Sequence, residues 1–141
     1  KDHDMNYRFL LMDPNGEAIK RQVAYKKGYD FKAISPEQKT AIDQEIEIEK
    51  KRFDLTLQEL KSADQYPKRL KIRIFNEFLP WWMYLIDEKK IIVGFMKNGQ
   101  FLLRDEQAAA VLTSHKNPQI CNLYTSFRMN FERIWESARE A

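Results

Sequence analysis

The sequence predicts an α/β fold: a single mixed β-sheet flanked by helices, in the order strand, long helix, three or four strands, helix. Three observations carry this prediction. Ser35-Pro36-Glu37-Gln38 is a helix start, with Ser35 as cap, Pro36 at the first helical position and Gln38 completing a capping box. Short apolar runs of strand length, separated by turn residues, fill the stretch from Arg69 to Thr113. A second amphipathic run closes the chain, so a helix can pack on each face of the sheet, with the right-handed crossover expected of a β-α-β unit.

In order along the chain, Tyr7–Met12 is an apolar run ended by Asp13-Pro14-Asn15-Gly16, which reads as a strand stopped by a turn. The stretch from Gly16 to Ala33 has no clean period and reads as a long loop, with or without a short strand in it. The helix that follows should run to Leu60 or Ser62, with Ile42, Ile46, Phe53, Leu57 and Leu60 as its buried stripe. At about 40 Å it is longer than one small sheet can cover, so its outer part is free to meet another subunit or domain. Arg69–Phe75 alternates, with Leu70, Ile72 and Ile74 on one face and Lys71 and Arg73 on the other. Trp81–Ile86 and Lys90–Met96 are joined by Asp87-Glu88-Lys89 as a hairpin, and Gln107–Thr113 is the last strand. Asn117-Pro118 starts the final helix, with Asn117 as cap. Its apolar face is Ile120, Leu123, Tyr124, Phe127, Phe131, Ile134 and Trp135.

The chain has 141 residues, the size of one domain spanning 1–141. Lys plus Arg is 24 and Asp plus Glu is 21, a formal charge of +3 that does not argue for direct nucleic-acid binding by this segment. The single Cys121 cannot form an internal disulfide, which favours the cytoplasm. No apolar run is long enough to span a bilayer. The chain begins at Lys1 rather than Met, so further chain upstream is expected.

His3 and His115, with one Cys, give no ligand set of metal-binding spacing, and neither a metal nor a cofactor is expected. No nucleophile elbow, P-loop or dinucleotide fingerprint is present. Lys71 and Arg73, with Lys68, Arg69 and Lys97, either form a basic rim for a phosphate-bearing ligand or a solvated face. Trp81 and Trp82 are adjacent and on a strand face opposite sides, so one belongs to the core and the other can stack on a flat ligand.

The segment Pro80 to Asn98 reads P-W-W-M-Y-L-I-D-E-K-K-I-I-V-G-F-M-K-N. It resembles the phospholipase D superfamily motif, H-x-K-x4-D-x6-G-S-x-x-N. Asp87, Gly94 and Asn98 fall on matching positions, whereas Pro80, Trp82 and Phe95 stand at the His, Lys and Ser positions. The order of elements also resembles one half of that fold, β-long α-β-β-β-α. The closing Phe131-Glu132-Arg133-Ile134-Trp135-Glu136 is similar to the ending of degenerate bacterial members, some attached to DNA-binding regulators.

The resemblance implies a domain without the family's chemistry. A proline cannot attack phosphorus and an indole carries no charge. It implies a cleft that binds a phosphate-bearing small molecule or a protein partner, as in the sensor part of a regulator, and a homodimer formed through the sheet edge or the long helix. Arg73, Lys71, Trp81, Trp82, Lys97 and Asn98 are the candidate ligand contacts. Asp87 and Asn98 also fit plain turn residues, and Gly94 relief of crowding in a strand. Two other readings stand beside this one. One is an enzyme of unrelated mechanism using strand-end carboxylates such as Asp13 and Asp87. The other is an interaction module built on the long helix.

Overall fold

A computed structural model describes residues 7–86, 89–95, 109–113 and 122–141. The described elements run β1 (Tyr7–Met12), α1 (Glu17–Lys26), α2 (Pro36–Ser62), β2 (Leu70–Phe75), β3 (Trp81–Ile86), β4 (Lys90–Phe95), β5 (Ala109–Thr113), α3 (Leu123–Ser137) and β6 (Arg139–Glu140). The chain is therefore mixed α/β.

The expected single sheet is instead two three-stranded sheets, β1-β2-β6 and β3-β4-β5. The cause lies in β2. It pairs parallel with β1, from Tyr7↔Leu70 to Met12↔Phe75, and antiparallel with β6 through Arg73↔Glu140 and Ile74↔Arg139. Both of its edges carry a partner, so β3 cannot pair with β2, and it lies in the second sheet. In that second sheet β3 and β4 pair antiparallel from Trp81↔Phe95 to Ile86↔Lys90, as the hairpin reading expects, and β5 adds on the far side of β4.

The expected loop between Gly16 and Ala33 contains a helix. α1 buries Ile19, Val23 and Ala24 against Ile42 and Ile46 of α2, with Met12, Tyr29 and Ile34 at the margin. It has no local side-chain cap. The backbone N–H of Ala18 instead donates to Asn76 Oδ1 at 3.0 Å, from the end of β2. Its C-terminus closes on Gly28 at φ 69, where Gly28 N–H donates to the Tyr25 carbonyl (3.1 Å) and Tyr29 N–H to that of Ala24 (2.9 Å). This is a Schellman arrangement, for which a residue without Cβ is suited.

A Cβ placed on Gly16 would meet Asn76 Oδ1 at 2.2 Å. The substitution Gly16→Ala therefore displaces the amide that caps α1, and it should destabilise the chain by about 1 kcal/mol. In an Asn76→Ala background the same change should cost almost nothing. A urea-melt double-mutant cycle reads the difference, and additive losses would contradict the link.

α2 begins as expected: Ser35 Oγ accepts from Gln38 N–H at 3.2 Å and Ser35 N–H donates to Gln38 Oε1 at 3.0 Å. Its buried residues, Ile42 and Ile46, lie in its first half, while Ile48 and Leu55 are exposed at 45% and 61%. Lys26 of α1 and its C-cap residue Lys27 reach Glu49 and Glu45 of α2 at 3.1 and 3.7 Å.

α3 starts later than Asn117, which lies outside the described residues. Asn122 is its cap, accepting from Thr125 N–H at 2.9 Å, so the chain enters the helix where this side chain satisfies a free donor. α3 lies against β2, β4 and β5 and so joins the two sheets. On the second sheet Ile91 and Val93 pack with Tyr124, flanked by Trp81, Met83, Leu85, Leu112 and Phe127. Among the described residues no helix is long and apolar enough to cross a membrane.

Candidate anion-binding face

The face of β1 and β2 that meets α3 carries three cations. In the parallel ladder Arg8 is beside Lys71 and Leu10 beside Arg73, so alternation places Arg8, Lys71 and Arg73 on one side. The opposite side of β2 is apolar, with Leu70, Ile72 and Ile74 all buried. That contrast fixes the register, since a one-residue slip would bury the cations.

Trp135 organises this face. Its ring is buried and stacks on Phe131 at 6.0 Å with an interplanar angle of 16°. The Arg8 guanidinium sits 5.0 Å from the Phe131 centroid and 5.3 Å from that of Trp135, and Arg73 lies 4.9 Å from the Trp135 centroid. The indole face attracts both cations.

The two arginines differ in how their charge is met. Arg8 donates twice to Glu132, at 2.7 and 2.6 Å, in a fork that matches the carboxylate. Those hydrogen bonds, above all, hold the Glu132 carboxyl below its ordinary range, with Arg128 adding a smaller attraction. Arg73 donates to the main-chain carbonyl of Trp135 at 2.6 Å, in the last turn of α3, where a cation satisfies an otherwise unpaired acceptor. Neither Arg73 nor the exposed Lys71 meets a carboxylate among the described residues. One compensated and two uncompensated cations therefore share the strand face. Such an arrangement can receive an anion with several oxygens, Lys71 acting as a mobile charge and Arg73 as a fixed fork.

The other candidate contacts do not join this group. Trp81 packs edge-on against Phe127 at 5.2 Å and 90°, within the core of the second sheet. Phe127 and Trp135 stand eight positions apart on α3, about 12 Å at 1.5 Å per residue, so Trp81 and Arg73 address different ends of the helix. Pro80 precedes β3, and the backbone of Trp82 lies directly across from the buried Gly94, with Phe95 across from Trp81. Asp87, Lys97 and Asn98 lie outside the described residues, as do His3, His115 and Cys121. Lys68 and Arg69 are exposed just ahead of β2.

Arg8 was not legible as a site residue. A lone cation in an apolar strand is its signal, and Glu132 supplies no local clue because the pair spans 124 positions. Among the described residues, carboxylates at or near strand ends are engaged. Asp13 pairs with Arg139 at 3.3 Å, and Glu77 with Arg133 through two bonds of 2.8 Å that lower the Glu77 pKa. Among the described residues no group of three or more His, Cys, Asp or Glu side chains is placed to hold a metal ion. An open cleft of about 190 Å³ is lined by Leu11, Met12, Pro14, Ile19, Phe53 and Thr56, with Glu49 and Arg52 at its edge. Its one carboxylate, Glu49, is held by Lys26 and Arg52. No family model, no curated protein and no solved structure matches this chain.

Proposed function

We propose that this chain is a noncatalytic, phospholipase D-like binding domain that takes a phosphate-bearing ligand on the cationic face of β1 and β2, in the manner of a sensor. The observation that carries the reading is the pair Lys71 and Arg73, adjacent in alternation on one strand and both without a carboxylate partner among the described residues. Arg73, held against the buried indole of Trp135, and the exposed Lys71 two positions away on the same strand face give a phosphate two donors. The absence of turnover rests on the residues at the motif positions, since Pro80 and Trp82 offer neither a nucleophile nor a charge.

Titration with inorganic pyrophosphate, followed by tryptophan fluorescence, tests the site. Saturable binding is expected, weakened by added salt. Lys71→Glu should weaken it about tenfold, or roughly 1.4 kcal/mol, and should leave the urea midpoint unchanged because Lys71 is exposed. Binding indifferent to Lys71→Glu would refute the site. Turnover of a phosphodiester by the purified chain would refute the noncatalytic assignment.

A further inference from the structure

The three cations of the β1-β2 face differ in what borders them. Lys71 and Arg73 are two residues apart on β2, about 7 Å along the strand, and Arg8 lies across the ladder from Lys71, about 5 Å away. Lys71 is therefore the corner of the group. Carboxylates stand at both ends. Glu140 of β6 is directly across from Arg73, and facing residues of a ladder share a side, so an anion seated on Arg73 is repelled from extending that way. At the other end Arg8 holds Glu132 in a two-bond fork, with the two side chains 29% and 37% exposed. Glu132 has a second cation within reach. Arg128 is four positions earlier on the same face of α3 and adds to the attraction that keeps the carboxyl ionised. A fork partly open to water, on a carboxylate with another cation nearby, can exchange its anion.

Given the phosphate site proposed above, on which this rests, we infer that the ligand is a linear chain of three phosphates, two of them held by Arg73 and Lys71 and the third by Arg8, from which it displaces Glu132. Donors this close together suit successive phosphates of one chain better than phosphates set on opposite sides of a ring. Pyrophosphate is satisfied by Lys71 and Arg73 and leaves the Arg8–Glu132 fork closed. A third phosphate extends from Lys71 toward Arg8, because Glu140 borders the opposite end. Its oxygens replace those of Glu132 in the guanidinium fork, which binds carboxylate and phosphate in the same two-pronged geometry. Arg8 stays over the rings of Phe131 and Trp135 while it changes partner, so the cation is already in position. Glu132 turns to Arg128. The internal carboxylate thus acts as a threshold that only a chain long enough to reach Arg8 crosses.

Isothermal titration calorimetry of the intact chain, at low salt in metal-free buffer, compares pyrophosphate with inorganic tripolyphosphate. Tripolyphosphate should bind about tenfold more tightly, the net gain of one charge-assisted contact over the carboxylate it displaces. The double variant Arg8→Gln, Glu132→Gln removes one charge of each sign, so any general attraction for the more highly charged anion is retained. It should nevertheless lose most of the preference for tripolyphosphate. A second readout needs no variant fold. The side-chain carboxyl resonance of Glu132, assigned by its disappearance in Glu132→Gln, should move on adding tripolyphosphate to the native chain and move much less with pyrophosphate. An equal preference in the native chain and the double variant, or equal shifts of that resonance with the two anions, would overturn the inference while leaving the phosphate site standing. Pyrophosphate binding indifferent to Lys71→Glu would instead refute the site itself, and the inference with it. Adenosine triphosphate presents the same chain on a nucleoside. Binding as tight as that of tripolyphosphate identifies nucleoside triphosphates as the source of the chain, and weaker binding identifies the inorganic form.

Discussion

Trp135→Ala should destabilise the chain by about 4 kcal/mol, the loss expected when a large buried aromatic is truncated. For a chain of this size that corresponds to a fall in Tm of roughly 10 to 15 °C. The indole is buried, stacks on Phe131 and carries the guanidinium groups of both Arg8 and Arg73. Its removal leaves a cavity between α3 and the first sheet and deprives Arg73 of the indole face, while Arg8 keeps the ring of Phe131. Trp135→Phe keeps a ring in place and should cost about 1 kcal/mol. Urea denaturation with unchanged slope measures both. A loss below 1 kcal/mol for the alanine variant would mean that α3 does not rest on this residue. Pyrophosphate affinity should fall with Trp135→Ala under conditions where the variant remains folded, since Arg73 loses the ring that orients it.

Glu132→Gln should move stability and binding in opposite directions. Stability should drop by about 1 to 2 kcal/mol at pH 7, at the low end for bonds between charged groups because both side chains are partly exposed. Pyrophosphate should bind roughly three- to tenfold tighter at low salt, because the Arg8 charge is no longer cancelled. The pH dependence has a definite sign. The folded-state pKa of Glu132 is lowered, chiefly by its hydrogen bonds from Arg8. Its contribution is therefore complete above the ordinary glutamate value of about 4.3 and is lost as pH falls through the depressed folded value. The gap between the native chain and Glu132→Gln should be constant near neutrality and close in acid. A gap that persists at low pH, or unchanged affinity at pH 7, would remove Glu132 from the account.

What could be read locally in this chain is whatever neighbours in sequence decide. The capping box of α2 uses Ser35 and Gln38, three positions apart, and the alternation of β2 separates Leu70, Ile72 and Ile74 from Lys71 and Arg73 within one strand. The β3-β4 hairpin follows from two apolar runs and a short polar joint. Gly28 also marked the end of α1, a signal the aperiodic stretch around it obscured.

The tertiary structure decided the rest, because the deciding partners are distant. α1 takes its cap from Asn76, 58 positions away, so nothing around Gly16 announces a helix. β3 does not join β2 because β6, only two residues long and too short to leave a pattern, occupies the second edge of β2. The same long-range pairing put Arg8 opposite Glu132 and Arg73 under the carbonyl of Trp135, and drew Trp81 away to Phe127. Residue types declared which side chains carry charge. Only the packing of α3 across β1 and β2 determined that Arg8 meets a carboxylate while Arg73 meets a main-chain carbonyl.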